Sequence, residues 1–222
     1  MAITLGILFL VALFLAWKFN QILGTKTGFT PELSSGEPSS AEGSESGDNF
    51  AGSLDADVPA PFDDSLIANG ADADTVKEGL SEVTNAIDSF EPKSFSQDAK
   101  AAFDFIMTAF ADGDRDTLSS LVSKEIYDAF DSAIQAREDA GQELRFSILT
   151  EPKVSFTGAE VDRGIAYVSV QIETEQTSAT LDAEGNNVSG DLAGAQKVVN
   201  RWMFSKSASS NDPTWTLVST AA

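Results

Sequence analysis

The hydrophobic pattern divides the chain into three parts. Residues 2–17 read AITLGILFLVALFLAW, an apolar run without a charge. Past Lys18 the apolar residues Phe19, Ile22 and Leu23 follow, so the run approaches the roughly 20 residues with which a helix crosses a bilayer. The chain then turns polar and acidic, and regular apolar periods begin near residue 73. We therefore predict a transmembrane anchor over 1–24, a linker over 25–72 and one folded domain over 73–222.

The apolar run is better explained as an uncleaved anchor than as a cleaved signal peptide. The signal peptide remains the alternative because the run is short, but no basic segment precedes it and no small-residue cleavage site follows closely. Lys18 and Lys26 follow the run, which predicts an inner-membrane protein with its N-terminus outside and its domain in the cytoplasm. The predicted span contains Ile3, Leu5, Ile7, Leu8, Phe9, Leu10, Val11, Leu13, Phe14, Leu15 and Trp17.

The linker is rich in serine, glycine, proline and acidic residues. No lysine or arginine occurs between Lys26 and Lys77. Such a segment cannot bury enough apolar surface to offset the entropy of ordering it, so we predict disorder. Repulsion among its carboxylates would keep it extended as a tether. An acidic contact for a basic partner is the alternative role.

The first apolar stripe of the domain has a helical period. It predicts an amphipathic helix over 74–89, which Pro92 ends. Its polar face carries four acidic residues against Lys77 alone, which does not fit a helix that binds anionic lipid. The stripe is expected to pack on the sheet or on a partner, and it is our candidate partner-binding helix: Val76, Leu80, Val83, Ile87 and Phe90.

Three further helices are predicted before the period changes. The first covers 96–112, with Ser96 as its N-cap and Gly113 after its end. A short helix covers 117–122, and a long one begins after Ser123 and ends at Gly141.

Beyond Gly141 apolar and polar residues alternate, which is typical of strands. A fold with helices first and an antiparallel meander afterwards is α+β, with helices packed on one curved antiparallel sheet. The predicted strands cover 144–148, 154–157, 165–181 (continuous), 198–204 and 215–218, and a hairpin turn covers 182–186.

Composition narrows the possible functions. The chain has no cysteine and no histidine, which removes disulfides, thiolate catalysis, the usual general base and the commonest metal ligands. We expect no enzyme activity, no metal and no cofactor. The net charge is −21, from 14 basic and 35 acidic residues. Because the basic residues do not cluster, nucleic-acid binding is not expected.

One acidic motif has the spacing of a calcium loop. Asp112, Asp114 and Asp116 occupy the first, third and fifth positions. The sixth position is Thr117 instead of glycine and the twelfth is Ser123 instead of glutamate, so the motif is incomplete. We interpret these aspartates as a turn between helices that caps the second one.

Aromatic residues are frequent in the domain. Most should form the core, but a curved sheet covered by helices also tends to enclose an apolar cavity, and such a cavity is the default ligand site. Tyr127, Tyr167 and Arg201 are the ionisable candidates for such a site. The candidate cavity residues are Phe103, Ile106, Phe110, Phe130, Tyr167, Trp202, Phe204 and Trp215.

Several segments resemble the Tim44-like domain family, which includes a scaffold subunit of the mitochondrial import motor. The N-terminal anchor with the following segment is similar to that of bacterial adaptor-like members. The similar segments are 103–122 (FDFIMTAFADGDRDTLSSLV), 123–130 (SKEIYDAF), 136–138, 175–182, 198–218 with Trp202, Asp212-Pro213, Trp215 and Leu217-Val218, and 23–28 after the anchor.

The resemblance implies a cone-shaped fold of the cystatin-like or NTF2-like kind, held at the inner face of a membrane. It implies scaffolding of other proteins and no catalytic motif. This chain lacks the long basic N-terminal region in which the chaperone contacts of the mitochondrial scaffold lie, which weakens the expectation of chaperone recruitment. Its acidity weakens the expectation of binding to acidic lipid, which some relatives show.

The expected function is that of a single-pass inner-membrane adaptor or scaffold. Its partner would be a membrane-protein complex or another protein client. The protein would act in membrane-protein biogenesis or as an accessory subunit of a membrane complex. The alternative is the binding of a lipid or a small apolar ligand in the cavity. An NTF2-like enzyme is a weaker alternative, because a fold does not determine an activity.

Overall fold

The computed structural model describes residues 62–221, which form an α+β domain. A short 3-10 helix, Asp64–Leu66, and four α-helices precede a five-stranded antiparallel sheet. The predicted anchor and residues 25–61 of the predicted linker lie outside the described residues. Within residues 62–221, no helix has the length and apolarity that crossing a membrane requires.

The boundary between the first two helices differs from the sequence prediction. Helix α1 covers Ala73–Ala86, and α2 covers Pro92–Asp112. Pro92 therefore begins α2 instead of ending α1. Proline fits the first helical position because the N–H that it lacks would have no hydrogen-bond partner there. Glu91, and not Ser96, is the N-cap, and its carboxylate accepts from the amides of Lys93 and Ser94.

The other two helices agree with the sequence prediction. Helix α3 covers Arg115–Leu121 and α4 covers Lys124–Asp139. Gly113 ends α2 in the left-handed region, with φ of 73°. The hydroxyl of Ser123 accepts from the amide of Ile126, so the predicted cap of α4 is confirmed.

The sheet is not a simple meander. Strand β3 is long enough for two partners on one edge: β1 pairs with residues 176–181 and β2 with residues 165–173. Strand β4 occupies the opposite edge of β3 and is followed by β5. The strands are β1 Glu143–Ile148, β2 Lys153–Asp162, β3 Ile165–Leu181, β4 Asn187–Ser207 and β5 Thr216–Ala221.

One hydrophobic core lies between the helices and one face of the sheet. Every second residue of β3 from Ala166 to Ile172 is fully buried there. Phe103 and Ile106 of α2 and Leu80 of α1 are equally enclosed. The intervening β3 side chains, which include Tyr167 and Gln171, lie on the opposite side of the sheet, which we call the outer face.

Residues 62–72 pack against the domain, although the sequence assigns them to the linker. The ring of Phe62 lies 6.4 Å from that of Phe156, measured between centroids. Ile67 forms a parallel bridge with Phe156, and the amide of Ala68 donates to the Phe156 carbonyl at 2.9 Å. Ala68 is buried, so this segment belongs to the folded unit.

Candidate partner-binding surface

The stripe that the sequence suggested as a partner-binding helix lies in the core. Val76, Leu80 and Val83 are each at most 2% exposed, because α1 lies across β2 and turns this face toward the sheet. Ile87 and Phe90 follow the end of α1 and are buried as well. The stripe is therefore not an exposed surface in this fold, and a partner would have to displace α1 to reach it.

The aromatic residues of the predicted cavity pack largely on one another. Phe103 and Trp202 are buried with ring centroids 4.9 Å apart, and Trp202 lies 6.0 Å from Phe204. Ile106 is enclosed in the same cluster. The half-buried Phe110 and Phe130 lie 5.0 Å apart, and the half-buried Trp215 lies 5.0 Å from the buried Phe95, measured between ring centroids. These contacts are those of a hydrophobic core.

The ionisable candidates for the cavity are not brought together. Tyr167 lies on the outer face, where its strand neighbour across β4 is Ser205. Arg201 is exposed on the same face, opposite Gln171. The sheet separates both from the aromatic cluster, so including Tyr167 in the cavity was wrong. Tyr127 is half-buried on α4, against the core.

The acidic motif between α2 and α3 is a helix cap, as predicted. The carboxylate of Asp114 accepts from the Thr117 amide at 3.0 Å and from the Thr117 hydroxyl at 2.6 Å. These bonds, the hydroxyl first, hold the pKa of Asp114 below its usual value. Asp112 ends α2 and Asp116 lies in the first turn of α3. In the described part of the chain, no group of three or more acidic residues is placed to hold a metal ion.

Two arginines connect the helices. Arg115, which begins α3, donates to Asp131 at 2.6 Å and to Glu138 at 2.9 Å, both on α4. The hydrogen bonds that Arg115 donates to Glu138 and, with a smaller effect, to Asp131 raise the pKa of Arg115. Arg137 of α4 donates to the carbonyls of Phe110 and Ala111 at the end of α2, each at 2.9 Å. The helix layer is thus fixed by charged contacts around its ends.

An open groove of about 600 Å³ runs between α2 and the loop from β1 to β2. Its helical wall is formed by Gln97, Lys100, Ala101 and Asp104, and its other wall by residues 148–152. The ammonium group of Lys100 donates to Glu151 at 2.6 Å, which joins the two walls. This bond lowers the pKa of Glu151.

The two most exposed large apolar side chains of the described residues lie on the loop wall of this groove and on α2. Leu149, in the loop wall, is 50% exposed. Phe105, one helical turn after Ala101, is 65% exposed. The carboxylates of Asp98 and Asp104 are exposed on the same helix. We call the exposed side of this helix the α2 surface: Asp98, Ala101, Asp104, Phe105 and Thr108.

The sequence pattern contained a signal for the α2 surface. Phe105 does not fall on the buried stripe of α2 that runs through Ala99, Phe103 and Ile106. A phenylalanine off the buried stripe of an amphipathic helix is expected to face solvent. The number of aromatic residues alone does not show that Phe105 is the most exposed aromatic side chain of the described residues.

A family model identifies the domain. The model of the Tim44-like domain matches residues 76–222, about two thirds of the chain. The chain belongs to the Tim44-like domain family. The match begins within α1, so residues 62–75 extend the Tim44-like domain at its N-terminal side. This finding confirms the resemblance seen in the sequence.

Comparison with solved structures and curated proteins adds little to the family assignment. The crystal structure of the intermembrane space region of the chloroplast protein ARC6 is similar with a TM-score of 0.42 and 13% identity. The similarity covers 57% of this chain and 94% of that one. No curated protein sequence matches this chain significantly.

Proposed function

We propose that this protein is a membrane-anchored adaptor that holds a partner-binding Tim44-like domain beside a membrane. The observation that carries the proposal is the family match over residues 76–222. A scaffold or adaptor role related to translocase components fits that membership. In this proposal the curved sheet and its helices form a cone of the cystatin-like or NTF2-like kind.

The anchor and the tether follow from the sequence. Residues 1–24 would span the inner membrane once, with the N-terminus outside and the domain in the cytoplasm. The acidic residues up to Phe62 would connect the span to the domain. Such a tether raises the effective concentration of the domain near membrane partners, which strengthens weak contacts without adding new ones.

The chemistry of the domain favours binding over catalysis. The chain has neither histidine nor cysteine, so general-base and nucleophilic roles would fall to other residues. The ionisable candidates Tyr167 and Arg201 lie on the outer face, away from the aromatic cluster. Exposed apolar side chains beside carboxylates, as on the α2 surface, are instead typical of protein contacts.

The proposal is tested by purifying the tagged full-length chain from its native membranes in a gentle detergent. Quantitative mass spectrometry of the co-purifying proteins should show one membrane protein or complex in near-equal amount. A chain without residues 2–24 is the control, and it should lose that partner. Recovery of a lipid or small apolar molecule with no protein would contradict the adaptor and place the function in the domain interior.

A further inference from the structure

Strand β4 has neighbours on both sides over only part of its length. On one side it pairs with β3, and on the other β5 pairs with residues 201–205 alone. This second pairing ends where Arg201 lies opposite Ala221. Within residues 62–221, no strand lies beside residues 196–200 on that side. Every second residue of such an edge directs its N–H and C=O away from the sheet, where another strand can pair with them.

A bulge limits the length of this open edge. Gln196 lies opposite Gln176 and Asp191 lies opposite Ser178, so residues 192–195 of β4 are extra residues in the ladder. The carboxylate of Asp191 accepts from the amide of Ala193 at 2.8 Å within this bulge. Because a bulge interrupts regular pairing, the regular open edge covers residues 196–200, which is the length of an ordinary strand. We call these residues the β4 edge.

Two positive charges flank an apolar side chain along the β4 edge. Lys197 and Val199 lie on the outer face of the sheet, in one row with Arg201. Val199 is 40% exposed. Lys197 is highly exposed and contacts Glu175 at 3.5 Å. Arg201 is exposed and forms no ion pair within residues 62–221.

The row predicts the chemistry of a strand that would pair with it. Side chains directly opposite each other on neighbouring strands stabilise a sheet when their charges are opposite or when both are apolar. The complement of Lys197, Val199 and Arg201 is therefore acidic, apolar and acidic at alternate positions. Strand β1, which also lies at an edge, has Arg145 as its one basic residue, and Glu143 of the same strand already pairs with it at 3.0 Å.

We infer that the β4 edge binds an extended segment of a partner protein in which acidic, apolar and acidic residues alternate with others. This inference rests on the proposed adaptor function and names the chemistry of its partner. The segment adds a sixth strand in line with β5, so that backbone hydrogen bonds give affinity and the alternate side chains give selectivity. Repulsion from the distant acidic residues is weak at physiological salt, where charges are screened over about 8 Å.

The experiment uses the full-length chain in nanodiscs of zwitterionic lipid at physiological salt. The probe is a synthetic peptide of about seven residues with capped ends, in which threonine alternates with glutamate, valine and glutamate. One control peptide has lysine in place of each glutamate. A second keeps the side chains but carries N-methyl groups on its backbone amides, which removes the hydrogen-bond donors. Amide hydrogen exchange of the protein, measured by mass spectrometry, locates the bound peptide.

The glutamate peptide should slow amide exchange in residues 196–200 and leave residues 143–148, the matched edge of β1, unchanged. The N-methylated peptide should have no effect at either edge. This combination is the result expected of strand pairing, because contact through side chains alone would tolerate N-methylation.

Charge reversal tests the selectivity of the edge. Lys197→Glu with Arg201→Glu should weaken binding of the glutamate peptide about tenfold and give binding to the lysine peptide at the same edge. Arg145→Glu with Lys153→Glu makes the same change of charge on β1 and β2 and should leave the preference for the glutamate peptide unchanged. All four side chains are exposed, so circular dichroism should show an unchanged fold.

Four results would overturn the inference. Equal weakening by the two charge reversals would mean a response to the charge of the whole domain. Undiminished binding of the N-methylated peptide would exclude strand pairing. Protection of residues 196–200 without peptide would assign the edge to the chain itself if deletion of residues 27–61 abolished it, and to a second copy if dilution did. The peptide experiment involves no native partner, so its failure rejects this edge while the co-purification experiment separately decides the adaptor function.

Discussion

Gly79 of α1 lies directly on the backbone carbonyl of Ala159 in β2. A Cβ at Gly79 would overlap the carbonyl oxygen and crowd the carbonyl carbon, so only glycine permits this approach. The contact lets α1 descend onto β2 and bury Val76, Leu80 and Val83. The apolar stripe of α1 that the sequence suggested as a partner-binding surface is buried because Gly79 lies in its middle and allows this approach.

The contact at Gly79 predicts a large effect of a small substitution. Gly79→Ala should lower the free energy of unfolding by about 1–3 kcal/mol or more, because backbone atoms on the strand cannot move aside as a side chain can. Gly158→Ala, at a neighbouring position of β2 with open space around its Cα, is the control and should change little. Urea denaturation of both variants measures the difference. Equal effects would show that the contact does not constrain α1.

Arg137 is predicted to be a main stabiliser of the helix layer. Its guanidinium donates to the carbonyls of Phe110 and Ala111 and lies 5.3 Å from the centroid of the Phe110 ring. Arg137→Gln should cost about 2 kcal/mol, since hydrogen bonds from charged groups each contribute about 1.5–3 kcal/mol. Arg145→Gln is the control: Arg145 is mostly exposed and pairs only with Glu143 in the described structure, so about 0–1 kcal/mol is expected.

Urea denaturation with near-ultraviolet circular dichroism would report both arginine variants. An Arg137→Gln protein as stable as Arg145→Gln would contradict the role of Arg137 as a main stabiliser of the helix layer.

Two aspartate caps predict a loss of stability in acid. Hydrogen bonds from the amide and hydroxyl of Thr75 lower the pKa of Asp72, and those from the hydroxyl and amide of Thr117 lower the pKa of Asp114. A carboxylate whose pKa is lower in the folded state stabilises the fold fully above about pH 5. That contribution is lost as the pH falls through the ordinary value of 3.8 to the lower folded value.

The contribution of these caps to the loss of stability in acid can be isolated by replacing both aspartates with a residue that caps a helix but does not titrate. Asp72→Asn with Asp114→Asn should flatten the decline in melting temperature below pH 5, because asparagine also caps helices but does not ionise. Asp98→Asn with Asp104→Asn changes the charge equally, beyond the first turn of α2, and serves as control. An equal flattening in the two pairs would assign the acid response to net charge instead of capping.

The segment before α1 is predicted to stabilise the domain. Deleting residues 2–72 should lower the free energy of unfolding by about 2–4 kcal/mol relative to deleting residues 2–61, because Phe62 and its neighbours would leave the surface around Phe156. Guanidinium denaturation of the two truncated proteins compares them directly. Equal stability of the two truncated proteins would show that residues 62–72 belong to the linker and not to the folded domain.

Local signals in the sequence were enough to predict the ends of most of the helices. Ser123 and Gly113 mark helix ends because capping and left-handed φ depend on a few neighbouring residues. Pro92 is ambiguous for the same reason, since proline fits both after a helix and at the start of one. Only the structure decides between them, through the cap that Glu91 provides.

Contacts between distant residues could not be predicted. The pairing of β1 and β2 with successive halves of β3 depends on which strands meet, and alternation in each strand carries no such information. The burial of the α1 stripe likewise depends on Ala159, eighty residues after Gly79. The exposure of Phe105 was readable from its place off the stripe, whereas the groove between α2 and residues 148–152 depends on how the loop after β1 folds.

Exchanging the anchor tests whether the domain acts by being held at a membrane. Three tagged chains would be compared for recovery of the co-purifying membrane partner: the full chain, a chain without residues 2–24, and one whose residues 1–24 are replaced by an unrelated transmembrane span of the same orientation. If the domain acts by tethering, the deletion loses the partner and the unrelated span restores it. Undiminished recovery by the deleted chain would contradict tethering, as would failure of a correctly inserted unrelated span to restore the partner.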